Sequence, residues 1–135
     1  FFDEGFISAP NNDLPLFRRV FHPDIPNVFF IGLLQPLGAI MPLAEAQGRW
    51  VAAYLRGEYH LPPGREMEAD IARERARMFK RYVASQRHTM QVDFDNYLFD
   101  LRREMRRGAR RAARAGHALP VPARATTNVP VSIDR

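Results

Sequence analysis

One short stretch constrains the fold of this chain more than any other, the apolar run from Val28 to Ile31 (VFFI). Its apolarity is continuous rather than alternating, which is typical of a strand covered on both faces, as in a parallel sheet under helices. Such a strand needs parallel neighbours. The only other candidate strand runs from Leu16 to Phe21, with Arg18 and Arg19 on opposite faces. We therefore expect the end of a larger α/β protein, with one or two strands in this chain.

Three helices are predicted after this run. The first extends from about Pro42 to Arg56, because Pro suits the first helical position and Gly57 suits the residue just past the end. The second extends from about 65 to 83, with acidic residues in its first turns and basic residues near its end, an order that complements the helix dipole. The third begins near Asp93 or Asp95, either of which can cap it.

Composition excludes several classes of protein. The chain has 135 residues, enough for one domain or part of one, and 46% of them are hydrophobic, which argues against wholesale disorder. It has no cysteine, so disulfides, thiolate zinc sites and thiol nucleophiles are excluded. The four histidines are scattered without metal-ligand spacing, and we predict no metal site. No apolar run is long enough to span a membrane, and no leader is recognisable, so we expect a cytoplasmic protein. The absence of an initial Met suggests a fragment or a processed product.

The connection between the apolar run and the first helix is the strongest candidate for a site. The open N–H groups at a helix start attract an anion or an electron-rich carbonyl oxygen. Gly38 permits the close approach of a flat ligand, and Gln35 offers both a donor and an acceptor. An ordinary strand-to-helix turn fits the same residues, and the spacing alone does not separate the two interpretations.

The segment Phe29–Trp50 (FFIGLLQPLGAIMPLAEAQGRW) resembles the C-terminal signature of flavin-containing monooxygenases. Residues 16–23 (LFRRVFHP) are similar to the strand that precedes a Pro-rich turn in that family, and residues 88–97 (HTMQVDFDNY) to its late segment before the final helix. The resemblance covers roughly residues 1–105 in several ordered motifs. Further matching positions are Gly57, Leu61, Pro62 and Met67.

The resemblance implies a flavoprotein with two Rossmann-like dinucleotide-binding domains, of which this chain is a C-terminal fragment. Residues 1–64 would be the end of the FAD-binding domain, with its last sheet strand, flavin-facing loop and buried helix. Residues 65–117 would form a C-terminal helical extension, and residues 118–135 a disordered tail rich in Pro and Arg. The two G-x-G-x-x-G turns that such a protein needs are absent from this sequence and would lie in the remainder of the enzyme chain.

The resemblance also assigns cofactor-binding residues. Gln35 would lie nearest the flavin, after Gly32, and Pro36, Leu37 and Gly38 would provide backbone contacts. No residue of this chain would act as acid, base or nucleophile, so we expect the isolated chain to be inactive. Three further residues match family positions and are interpreted as structural, for the helix start, an ion pair and packing: Pro42, Glu45 and Gln47.

The activity implied by the resemblance is that of an FAD- and NADPH-dependent monooxygenase. Such an enzyme uses O₂ to form a hydroperoxyflavin and oxygenates soft nucleophiles, such as amines and sulfides, or ketones. A Baeyer–Villiger type of the same flavoprotein group stays open, although the motif from Gln35 to Gly38 argues against it.

An alternative from another class is a basic helical module that binds nucleic acid or an anionic surface. Residues 65–135 carry 16 of the 20 basic residues and nine of the 15 acidic ones. The run Arg102–Arg114 (RREMRRGARRAAR) is their densest part. It lacks interleaved aromatic residues, which favours a solvated helix end over a nucleic-acid partner.

Overall fold

The computed structural model describes residue 7 and residues 14–36, 38–81 and 91–120 of the chain. The elements run in the order β1 (Gln35–Pro36), α1 (Met41–Leu55), α2 (Gly64–Arg81), β2 (Gln91–Val92) and α3 (Phe94–Arg114). β1 and β2 form one parallel pair, with Gln35 opposite Gln91 and Pro36 opposite Val92. The described residues are therefore mainly helical. Of the predicted tail, residues 121–135 lie outside the described residues.

The three predicted helices are confirmed, with bounds close to those expected. Pro42 lies in the first turn of α1, and Gly57 follows the helix with a φ of +72°, as a residue just past a helix end often does. At the start of α3, the carboxylate of Asp93 accepts a hydrogen bond from the backbone N–H of Asn96 at 3.0 Å. Asp93 rather than Asp95 is therefore the cap.

The prediction of a strand from Leu16 to Phe21 is wrong. Phe17 and Phe21 form an isolated antiparallel bridge around a tight turn, in which Arg18 and Arg19 have positive φ values of 50° and 64°. The turn directs both arginines to α2, where Arg18 pairs with Asp70 and Arg19 with Glu74, so they do not lie on opposite faces. The burial of both Phe rings, together with the formation of the two ion pairs, offsets the strain of the left-handed conformation.

The prediction of a parallel strand from Val28 to Ile31 is also wrong for the described residues. Phe29 forms an antiparallel bridge to Phe21, and the side chain of Ile31 is 52% exposed. A parallel strand needs a parallel neighbour, and among the described residues this run has none. Its aromatic residues pack on other rings instead, with Phe29 at 5.5 Å from Phe21 and 5.8 Å from Tyr54 between centroids.

The core is built around Trp50 of α1, which is fully buried. The rings of Phe21 and Tyr59 lie edge-on to it, at centroid distances of 4.7 and 5.5 Å, in the geometry that aromatic pairs favour. The helices each bury one face toward this cluster, with the apolar residues Leu43, Val51, Met67, Ile71, Tyr97 and Leu101. Among the described residues, no helix combines the length and apolarity that crossing a bilayer requires.

Candidate functional site

The candidate site is the loop segment, defined here as residues 31–41, which joins the core to α1. Gln35 and Pro36 form β1, and Gly32 and Gly38 have positive φ values of 80° and 133°. Gln35 and Gly38 are exposed, and a Cβ on Gly38 would meet no atom within 4 Å. The predicted site residues therefore lie in one continuous segment with open space beside it, except Leu37, which lies outside the described residues.

The start of α1 is uncapped. Ile40 occupies the capping position and offers no side-chain hydrogen bond, and no acidic residue lies in the first turn. The positive end of the helix dipole is thus left without a compensating group of this kind. The side chains around it are apolar and exposed, with Met41 74% and Ile40 38% accessible. An apolar surface beside a positive helix end suits a flat, largely apolar ligand that carries partial negative charge.

Behind the loop segment lies a buried polar side chain whose role the sequence did not reveal. Gln47 of α1 is completely buried, and its Oε1 accepts a hydrogen bond from the backbone N–H of Gly32 at 2.8 Å. Its Nε2 donates to the hydroxyl of Tyr97 at 2.7 Å, and that hydroxyl donates to the carbonyl oxygen of Arg18 at 2.7 Å. The interpretation of Gln47 as a packing residue from the sequence is therefore incomplete. A polar residue on the apolar face of a predicted helix is the signal that could have revealed its role.

Arg18 ties this polar cluster to two helices. Its Nε lies 2.8 Å from Oδ2 of Asp70 in α2, and its Nη1 lies 3.1 Å from Oδ2 of Asp100 in α3. The three side chains are mostly buried, so these ion pairs are little screened by solvent. Burial also raises the pKa of Tyr97, which keeps its hydroxyl protonated and able to donate.

The sequence model of the family described as "Flavin-binding monooxygenase-like" matches residues 1–109 of this chain. The chain belongs to this family. It is 46% identical over 95 residues to "Flavin-containing monooxygenase 5" of Mus musculus, an alignment that covers 69% of this chain and 18% of the relative. It is 42% identical over 102 residues to the Homo sapiens protein of the same name, covering 74% and 19%. The resemblance stated from the motifs is thus confirmed.

A solved structure also resembles this flavin-binding monooxygenase-like chain. The structure of S-allyl-L-cysteine S-oxygenase from Allium sativum aligns with a TM-score of 0.62 at 24% identity, covering 84% of this chain and 28% of that one. This likeness concerns the fold. The chain spans about a fifth of the length of the curated relatives that it matches, with 18% and 19% for the two named above.

The family match ends inside α3, at residue 109, and the helix continues to Arg114. Beyond the match, Arg111 forms an ion pair with Glu104 and donates from its Nε to the carbonyl oxygen of His60 at 2.9 Å. Ala112 is fully buried. The end of this helix is therefore packed against the segment after α1, and one face of the Arg-rich run has a structural role.

The inner face of α3 is also held by a buried tyrosine. The hydroxyl of Tyr59 donates to Oε1 of Glu104 at 2.9 Å. Burial and the nearby Glu104 carboxylate raise the pKa of Tyr59. Among the described residues, no group of three or more His, Asp or Glu side chains is arranged to hold a metal ion.

Proposed function

We propose that this chain supplies one side of the FAD site in an FAD- and NADPH-dependent monooxygenase. The observation that carries the proposal is the loop segment, which contains the exposed residues Gln35 and Gly38 and leads into an uncapped helix start in a member of a flavin-binding family. The enzyme would oxygenate soft nucleophiles, such as amines and sulfides, or ketones, with O₂ as co-substrate.

The residues of the loop segment fit a flavin. The open N-terminal end of α1 would stabilise negative charge on the pyrimidine ring of the flavin. Gln35 would donate to or accept from the flavin, Gly32 would shape the turn, and Pro36, Leu37 and Gly38 would provide backbone contacts. Bound FAD would supply the electron transfer from NADPH to O₂ that no side chain can perform.

The rest of the enzyme is part of the same proposal. Residues 1–64 would complete the FAD-binding domain of a protein with two Rossmann-like domains, and residues 65–117 would form a helical extension behind it. The groups that bind NADPH and the substrate would lie in the remainder of the chain. No side chain here would act as acid, base or nucleophile, so the isolated chain would be inactive. We place the enzyme in the cytoplasm.

A chimera tests the proposal. The 135-residue chain would replace the matching segment of the Mus musculus relative, with which it shares 46% identity over 95 residues. We expect the chimera to retain FAD after desalting and to consume NADPH when a sulfide is added. A chimera that unfolds cooperatively on heating but retains no FAD would contradict the proposal.

Sequencing the DNA upstream of the codon for Phe1 provides a second test. An open reading frame that encodes two G-x-G-x-x-G turns would support the proposed enzyme. A stop codon immediately upstream would contradict a single-chain enzyme of this kind.

A further inference from the structure

The hydrogen bonds behind the loop segment form one continuous path across the core. The path runs from the carbonyl oxygen of Arg18 through the hydroxyl of Tyr97 and the amide of Gln47 to the backbone N–H of Gly32. Each step is 2.7 or 2.8 Å long. The path joins α3 to α1 and ends at the first glycine of the loop segment, Gly32.

The donor and the acceptor of every hydrogen bond in this path are determined by the chemistry of the groups. A backbone carbonyl can only accept, so the proton of the Tyr97 hydroxyl is committed to Arg18. The hydroxyl oxygen can then only accept from Gln47, which must present its NH₂ group there and its carbonyl oxygen to Gly32. The raised pKa of Tyr97 preserves this order into alkaline solution.

The fixed sequence of hydrogen bonds ends at Gly32, in the loop segment. Its φ of +80° is one that side-chain-bearing residues rarely adopt, and its carbonyl oxygen accepts from the N–H of Leu34 at 2.9 Å, which closes a tight turn. Leu34 is buried, whereas the next residue, Gln35, is exposed. The turn at Gly32 therefore lies directly before the point at which the chain leaves the core and enters β1.

We infer that Gln47 and Tyr97 are positioning residues, which hold Gly32 and the loop segment in the conformation that meets the flavin. The inference rests on the proposed function for the identity of the ligand. Neither residue touches the flavin in this scheme. Both act through the backbone of Gly32, and they couple the flavin-facing loop to α3, which lies outside the FAD-binding domain as proposed.

The variant that separates positioning from general stability is Tyr97→Phe. It keeps the ring but leaves the carbonyl of Arg18 and the Nε2 of Gln47 without a partner, so the amide that accepts from Gly32 is no longer held from its other end. The matched control is Tyr59→Phe, which also removes a buried hydroxyl, one that donates to Glu104 at 2.9 Å. The hydrogen bond of Tyr59 has no connection to Gly32, so it reports only the cost of a lost buried bond.

The experiment uses the chimera described above, with two measurements on each variant. Hydrogen exchange at the Gly32 amide is measured without FAD, and the dissociation constant for FAD is measured by titration. We expect Tyr97→Phe to accelerate exchange at Gly32 and to weaken FAD binding, each by about tenfold. Tyr59→Phe should lower the melting temperature by about as much as Tyr97→Phe does. It should leave exchange at Gly32 and the dissociation constant for FAD unchanged.

Two results would overturn the inference. One is unchanged exchange at Gly32 in Tyr97→Phe, and the other is equal weakening of FAD binding by Tyr59→Phe. If the unsubstituted chimera folds but binds no FAD, the proposed function fails, while the exchange measurement still tests whether Tyr97 holds Gly32. A second variant, Gln47→Leu, removes the acceptor for Gly32 directly and should accelerate exchange at least as much as Tyr97→Phe.

Discussion

The ring of Tyr59 occupies the space that a side chain at position 108 would need. A Cβ on Gly108 would lie 1.9 Å from Cε2 of Tyr59, far inside van der Waals contact. The absence of a side chain allows α3 to approach the segment after α1 closely enough for the backbone N–H of His60 to donate to the carbonyl of Gly108 at 3.1 Å. This contact makes Gly108 a packing residue rather than a weak point in an Arg-rich helix.

We therefore expect Gly108→Ala to destabilise the protein by about 1–3 kcal/mol, because overpacking outweighs the gain in helix propensity. The matched control is Gly48→Ala in α1, where a Cβ would meet nothing within 4 Å. That substitution should stabilise the protein by about 0.5–1 kcal/mol. Urea unfolding of both variants measures the difference, and equal effects would contradict the close contact with Tyr59.

The buried ion pair between Arg18 and Asp70 predicts a large loss of stability in Asp70→Asn. The substitution leaves the guanidinium with less compensation in a mostly buried site, at a cost of about 3 kcal/mol. Glu45→Gln removes the partner of Arg49 in an exposed pair, with both side chains more than 60% accessible, and should cost no more than about 0.5 kcal/mol. Denaturant titrations of the two variants give the comparison. Similar losses of stability in both variants would show that the ion pair between Arg18 and Asp70 contributes little to the free energy of unfolding.

The conformation of Gly38 predicts a specific loss of cofactor binding in Gly38→Ala. Its φ of +133° is accessible almost only to glycine, so the substitution should cost about 1–3 kcal/mol or displace the loop segment. The control is Gly116→Ala, which also places a Cβ in open space at positive φ but lies after α3. In the chimera, only Gly38→Ala should weaken FAD binding. Unchanged FAD affinity in that variant would argue against contact between the flavin and Gly38.

The raised pKa values of Tyr59 and Tyr97 predict instability in alkaline solution. Below pH about 10, both tyrosines are protonated in the folded and the unfolded chain, so they add no pH dependence. Above that pH the unfolded chain releases protons that the folded chain retains, and each tyrosine lowers the free energy of unfolding by about 1.4 kcal/mol per pH unit.

This slope can be measured by unfolding the protein in urea at a series of alkaline pH values. Tyr59→Phe should remove about half of the slope that the two residues produce together. A slope that does not change in this variant would mean that Tyr59 ionises equally easily in both states.

The helices could be predicted from the sequence because their signals are local. Pro42 and Gly57 mark the ends of α1, and Asp93 caps α3 through an N–H only three residues away. The turn at Arg18 and Arg19 could not be predicted in this way. Positive φ is rare for arginine, and the acidic residues whose ion pairs stabilise this conformation lie on α2 and α3, far along the chain.

Only the local features of the candidate site could likewise be predicted from the sequence. The motif around Gln35 and Gly38 carried the resemblance to the family and is visible in the sequence alone. The pairing of β1 with β2 is not, because two-residue strands have no periodicity to detect. The hydrogen bonds of Gln47 are not visible in the sequence either, since its two partners, Gly32 and Tyr97, lie 15 and 50 residues away.

The pairing of β1 with β2 has a consequence for biosynthesis. β1 leaves the ribosome well before β2, and Gln47 leaves it 50 residues before Tyr97, so neither contact can form when the loop segment first emerges. The loop segment therefore reaches its final conformation only after the start of α3 has been synthesised. A nascent chain that stalls before α3 would carry the whole loop segment and still lack its contacts with β2 and, through Gln47, with Tyr97.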